Sequence, residues 1–146
     1  MKIYLDNCCF NRPFDNQLEI KIRLETEAKL YIQYLIQKKK LQIVWSYILD
    51  FENSKNPFEE RKQQIERWKI FAVEDIEEND TILAIGRKLE KIGLKKIDAL
   101  HIACAIYAKC NYFITTDKGL LKKAKRIKEL IVIDPINFIR EALNAY

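Results

Sequence analysis

The 146-residue sequence predicts one α/β domain over residues 1–146, with a central parallel five-stranded sheet and helices on both faces. Three observations predict it. Short apolar runs alternate with longer helical segments along the whole chain, the pattern that builds a parallel sheet covered by helices. The opening run, Ile3-Tyr4-Leu5, is β-forming with no turn residue before it, as suits a strand in the middle of a sheet. Asp6 and Asp117 each stand just after such a run, and in open parallel sheets ligands gather at the carboxyl ends of strands.

Taken in order, strand one ends at Asp6, and Asn11 to Asn16 reads as a loop punctuated by Pro13 and three Asx residues. Gln17 to Lys39 is expected to be helical, because Ile20, Leu24, Ala28, Tyr31 and Leu35 recur at steps of three and four. Its basic end, Lys38-Lys39-Lys40, suits the negative pole of a helix dipole. Leu41 to Trp45 is strand two, and Ser46 is placed as the N-cap of a helix that stops before Pro57. A helix from Phe58 to Trp68 leads to strand three around Lys69 to Val73, with Trp45 and Trp68 in or beside the core. Asn79 to Ile92 is a helix closed by Gly93. The next helix, from about Asp98 to Lys109, is apolar on nearly every side and must be buried. Tyr112 to Thr115 is strand four, Lys118 to Leu130 a basic helix, and Ile131 to Ile133 strand five. Asp134-Pro135 opens a last helix to the carboxyl end.

Composition narrows the class. Half of the residues are apolar (49%) and a third charged (32%), which is ordinary for a soluble globular protein. The longest nearly apolar run, Ala99 to Ala108, is too short to span a bilayer, and no basic-then-apolar leader precedes the first strand. A cytoplasmic protein without a membrane segment is expected. The four cysteines, Cys8, Cys9, Cys104 and Cys110, lack C-x-x-C spacing, which points to reduced thiols rather than a zinc site. The net charge is +5, but Lys109 to Lys128 alone holds seven bases against one acid, a local balance of +6. A clustered basic face is the electrostatic footprint of a polyanion, with a solvated helix face as the plainer alternative.

Four acids can meet at one edge of this sheet. Asp6 and Asp117 follow strands, Asp98 begins a helix packed on the sheet, and Glu52 lies early in the helix after strand two. Capping is the alternative role for Asp6, Asp98 and Asp117. Gathered carboxylates repel, so their convergence calls for a cation; oxygen ligands without a His/Cys cluster indicate Mg²⁺ or Mn²⁺. Asp50 competes with Glu52, but the two lie about 200° apart around a helix, so only one can face the site. The lone histidine, His101, is one turn after Asp98, where a structural role is favoured. Glu25 and Glu27 are expected to be solvated.

These pieces resemble the PIN-domain ribonucleases, in particular VapC-like toxins, over essentially the whole chain. The resemblance rests on the opening strand with Leu5-Asp6, the Ser46 to Glu52 segment, Asp98-Ala99-Leu100-His101-Ile102-Ala103, and Thr115-Thr116-Asp117. It favours Glu52 over Asp50, through its spacing from Ser46. It implies that Asp6, Glu52, Asp98 and Asp117 hold one or two Mg²⁺ or Mn²⁺ ions for RNA hydrolysis leaving 5′-phosphate and 3′-hydroxyl ends. It also implies a homodimer and an antitoxin partner. Arg12, Thr116, Lys118, Lys122, Lys123 and Arg126 are the candidate RNA contacts. Where many members have Asn or Ser two residues after the first Asp, this chain has Cys8, which leaves open a weakened or inactive RNA- or protein-binding module. A haloacid-dehalogenase-like phosphatase would need a second Asp at position 8, and a response-regulator receiver would need paired acids near the start. Neither pattern is present.

Overall fold

The computed structural model describes residues 1–143. Five strands, β1 (Lys2–Leu5), β2 (Gln42–Ser46), β3 (Ala72–Ile76), β4 (Tyr112–Ile114) and β5 (Ile131–Ile133), form one sheet in the order β3-β2-β1-β4-β5. Every pairing is parallel. The central place expected for β1 is borne out: Ile3, Tyr4 and Leu5 are fully buried, as a strand covered on both faces must be.

The helices are α1 (Asn7–Asn11), α2 (Ile20–Gln37), α3 (Tyr47–Ser54), α4 (Glu59–Glu66), α5 (Asp80–Lys91), α6 (Lys96–Tyr107), α7 (Lys118–Lys123) and α8 (Pro135–Ala142). The chain steps one way across the sheet from β1 to β3 and the other way from β3 through β4 to β5. Right-handed crossovers therefore put α1–α4 on one face and α5–α7 on the other. α5 packs on α6, and α8 returns to pack against α2. The last helix is described to Ala142, and its expected continuation through 144–146 lies outside the described residues.

Several expected boundaries move, each for a local reason. The loop after β1 holds α1, capped by Asp6, and a 3-10 turn over Arg12–Phe14 with Pro13 near its start. Strand three begins three residues later than expected, because Arg67–Phe71 winds into a 3-10 turn. β3 then runs through Glu74 and Asp75, acids this edge strand tolerates because Lys2 Nζ reaches Glu74 (2.5 Å) and Lys69 Nζ reaches Asp75 (3.5 Å). The basic helix is only α7, followed by a 3-10 turn over Ala124–Arg126 that buries Ala124. Gly93, at φ 107°, closes α5 as expected.

The buried face of α2 is a larger correction. Ile20, Leu24 and Tyr31 are exposed, while Glu25, Lys29 and Gln33 turn inward beside Ala28, Ile32 and Leu35. Glu25, expected in solvent, is buried because Arg12 Nε meets its carboxylate at 3.1 Å. Apolar periodicity locates a helix but does not say which of two adjacent stripes a neighbour covers.

Candidate functional site

The strand order reverses at β1: β2 and β3 lie on one side of it, β4 and β5 on the other. The crevice outside the carboxyl ends of β1 and β4 is the topological switch point, where open α/β sheets place their ligands. Leu5 pairs with Ile114 across it, and Asp6 N–H donates to the Ile114 carbonyl (2.9 Å). Asp6 and Asp117 thus flank the crevice.

Asp6 is 6% exposed and held from several directions. Its Oδ1 accepts from Asn7 N–H (2.8 Å), and its Oδ2 accepts from Thr115 Oγ1 (2.8 Å) and, more loosely, from the Cys8 thiol (3.5 Å). Cys8 Sγ also accepts from Thr116 N–H (3.3 Å), so the cysteine occupies its place in the turn with hydrogen bonds on both sides. Asp6 is both the N-cap of α1 and a buried acid at the crevice; the two roles coexist.

Ser46 caps α3 as expected, accepting from Leu49 N–H (3.3 Å), and this cap sets which faces of α3 point where. Asp50 turns to Trp45 Nε1 (2.9 Å) and Lys69 Nζ (3.2 Å), away from the crevice. Glu52 turns into it, against His101 Nε2. Asp6, Glu52 and His101 offer ligand atoms that all lie within 4.8 Å of one another. Burial of the lone histidine is complete, yet its ring ends at the site: Nδ1 lies 2.5 Å from Tyr4 Oη and Nε2 3.8 Å from Asp6 Oδ1.

Asp98 falls in the first turn of α6, whose N-cap is Lys95, so Asp98 is not a capping residue. Its carboxyl titrates above the ordinary 3.8, first because of burial, then because of the charges of Asp6 and Asp117, with Glu52 adding to them and His101 opposing. Asp98 therefore lies within electrostatic reach of the other three acids, although Asp98 and Asp117 stand outside the tightest cluster. Asp117 does cap its helix, Oδ1 accepting from Leu120 N–H (3.1 Å).

The surroundings include cations that sequence reasoning missed. Glu52 and Lys55 line two open depressions, one of about 430 Å³ with Lys95, Lys96 and Asp98, the other of about 320 Å³ with Asn7, Phe58 and Arg61. Lys55 Nζ lies over the Phe51 ring (4.5 Å) and the Arg61 guanidinium over Phe58 (4.0 Å). The only signal for them in the sequence is proximity to Glu52 and Asp98. Lys118, Lys122, Lys123 and Arg126 are exposed and form no ion pair among the described residues. The Arg12 guanidinium is engaged by Glu25 and Asp15 (2.8 Å), which ties the first 3-10 turn to α2. Thr116 is buried and makes no side-chain hydrogen bond among the described residues, whereas its neighbour Thr115 makes the contact to Asp6.

The donor set fits a hard divalent cation. Carboxylate oxygens of Asp6 and Glu52 converge, burial and then the neighbouring carboxylates raise the Asp98 pKa, and the buried Asn7 Oδ1 beside Asp6 has no hydrogen-bond partner among the described residues.

No curated protein is significantly similar to this chain. A solved structure, VapBC2 from Rickettsia felis bound to a DNA fragment from their promoter, is similar at a TM-score of 0.57 and 20% identity, over 92% of this chain and 98% of that one. At that identity the likeness speaks for the fold. The family model of the PIN domain matches residues 3–126, from the first residues of β1 to the end of the turn after α7. The chain belongs to the PIN domain family.

Proposed function

We propose that the protein is an Mg²⁺- or Mn²⁺-dependent endoribonuclease, acting as the cytoplasmic toxin of a toxin–antitoxin pair. The observation that supports this reading is the meeting of Asp6 and Glu52 at the switch point, with Asp98 titrating high through its burial and then through the charges of Asp6, Asp117 and Glu52. Asp6, Glu52, Asp98 and Asp117 would hold the ion. When bound, such an ion offsets charge on the scissile phosphate and lowers the pKa of a water. The protein's own part is to fix those oxygens: Thr115 and Asn7 hold Asp6, the α3 cap aims Glu52, and the first turn of α6 presents Asp98.

Lys55, Lys95, Lys96 and Arg61 border the crevice as sites for flanking phosphates, and Phe51 and Phe58 offer exposed rings on which unpaired bases can stack. Thr116 and the exposed bases Lys118, Lys122, Lys123 and Arg126, which follow β4 beside Asp117, are further candidate RNA contacts. A protein partner is supported by the exposed apolar face of α2, with Ile20, Leu24 and Tyr31, which suits a second copy or an antitoxin. The solved VapBC2 assembly provides the precedent for an antitoxin. Among the described residues no helix is long and apolar enough to cross a membrane.

Incubating the protein with a mixed RNA pool, with Mn²⁺ or Mg²⁺ and with EDTA, tests the reading. Internal cuts bearing 5′-phosphates with metal, and none with EDTA, are expected. Tight RNA binding without cutting would instead identify a binding module.

A further inference from the structure

We propose that His101 is the positioning residue for Glu52: it donates its Nε2 proton to the Glu52 carboxylate, in a tautomer locked from behind by Ser46 and Tyr4, and is not itself a cation ligand. The proposal rests on the reading of the crevice as a divalent-cation site.

The direction of every proton follows from the donors and acceptors along the chain. The Glu52 carboxylate can only accept, so Nε2 is the donor and Nδ1 of the neutral ring accepts from Tyr4; Ser46 Oγ, which accepts from Leu49 N–H, is then free to donate its own proton to Tyr4 Oη (2.6 Å). A phenol is protonated at neutral pH, and Tyr4 Oη lies where it can donate that proton to His101 Nδ1 (2.5 Å). With Nδ1 accepting, the ring proton sits on Nε2, facing Glu52. The reverse order would aim a nitrogen lone pair at a carboxylate, which is repulsive.

Packing fixes the rings as well. Tyr4 is stacked on Phe113 (5.2 Å) and meets the imidazole edge-on (5.5 Å), and Tyr4, Ser46 and His101 are all fully buried. A histidine serving only the core would end its bonds inside the core. This one ends on a part-exposed carboxylate of the acid cluster. Outer groups that orient ligating side chains are a general device of metal sites, and their loss typically lowers metal affinity about 10–100-fold.

The test uses the full-length protein and its Mn²⁺ affinity by calorimetry, with imidazole ¹⁵N NMR on the metal-free protein. The expected results are an Nε2–H tautomer in the wild type, a drop of about 10-fold or more in Mn²⁺ affinity for His101→Leu, and a much smaller drop for His101→Gln, whose amide can still donate to Glu52. Tyr4→Phe, which keeps the stacked ring and removes only the hydroxyl, is expected to mix the tautomers and weaken Mn²⁺ binding. It serves the same comparison where His101→Leu does not fold. Wild-type affinity in His101→Leu or in Tyr4→Phe overturns the positioning role. Equal losses in the Leu and Gln variants, with the Nε2 signal displaced by a diamagnetic Zn²⁺ probe, overturn it in favour of direct ligation. Absence of Mn²⁺ binding by the wild type would instead overturn the cation site itself, and is seen in a separate measurement.

Discussion

Thr115 Oγ1 donates to Asp6 Oδ2 at 2.8 Å, a buried bond that joins the carboxyl end of β4 to that of β1 across the switch point. The same oxygen accepts from Asp117 N–H at 3.1 Å, so one hydroxyl sets the position of two acids of the site.

Thr115→Val keeps the shape and removes both bonds together with the looser contact to Cys8 Sγ (3.4 Å). A loss of about 2 kcal/mol in stability is expected, since one partner is a carboxylate, together with roughly tenfold weaker metal binding. Thr116→Val, with no side-chain bond to lose, should change neither by much. Urea titration and calorimetry on the two variants check the contrast.

That contrast also shows what the sequence could convey. The order of strands and helices was legible, because β1, β2 and β4 are short apolar runs and Ser46, Asn79 and Asp134 cap their helices as their chemistry dictates. The four acids were legible from their places after strands and at helix starts. The bond from Thr115 to Asp6 was not legible, because which of two adjacent residues at a strand end turns towards a neighbouring strand's acid is set by the folded sheet. The Tyr4–His101–Glu52 contacts join residues 97 and 49 positions apart, and only the folded sheet brings them together.

Asp98 carries the clearest electrostatic signature. Its folded pKa is raised, so between the ordinary 3.8 and that higher value the native state binds the proton more tightly than the unfolded chain; stability from this group falls as pH rises through that window. Asp98→Asn should remove the penalty, melting about 2–4 °C above wild type at pH 7 in EDTA, the shift that about 1 kcal/mol produces in a chain of this size. Added Mg²⁺ should then stabilise wild type more than the variant. Melting curves with identical metal responses would return Asp98 to a purely structural role.

Lys29 gives a stability prediction away from the site. It is 4% exposed, lies over the Phe10 ring (5.8 Å), and burial lowers its pKa from 10.5 to about 8. Between those two values the unfolded chain holds more protons, so stability should climb as pH rises from about 8 towards 10. Lys29→Met should be more stable at pH 7, by about 2–3 kcal/mol at most, and lose that rise. Denaturation at a series of pH values reads it directly, and a flat wild-type profile would show the amine to be solvated.

Two sets of bases make different claims on RNA. Reversing Lys122, Lys123 and Arg126 should weaken RNA binding and flatten its salt dependence by about 0.7 for each phosphate no longer neutralised. Reversing Lys55 and Arg61, beside Glu52, should do the same and also slow cutting at saturating RNA. An unchanged salt slope in either variant would remove that set from the RNA path.

The central claim is that the four gathered acids cut RNA, and the most direct measurement compares single-turnover RNA cleavage by wild type, Asp6→Asn and Asp50→Asn in Mn²⁺. Asp6 lies in the crevice, whereas Asp50 is turned to Trp45 and Lys69. The expected result is a fall of about 100-fold or more for Asp6→Asn, as loss of a group holding a catalytic cation would give, and near wild-type cleavage for Asp50→Asn. Equal activity of all three proteins, or cleavage that persists in EDTA, would contradict it.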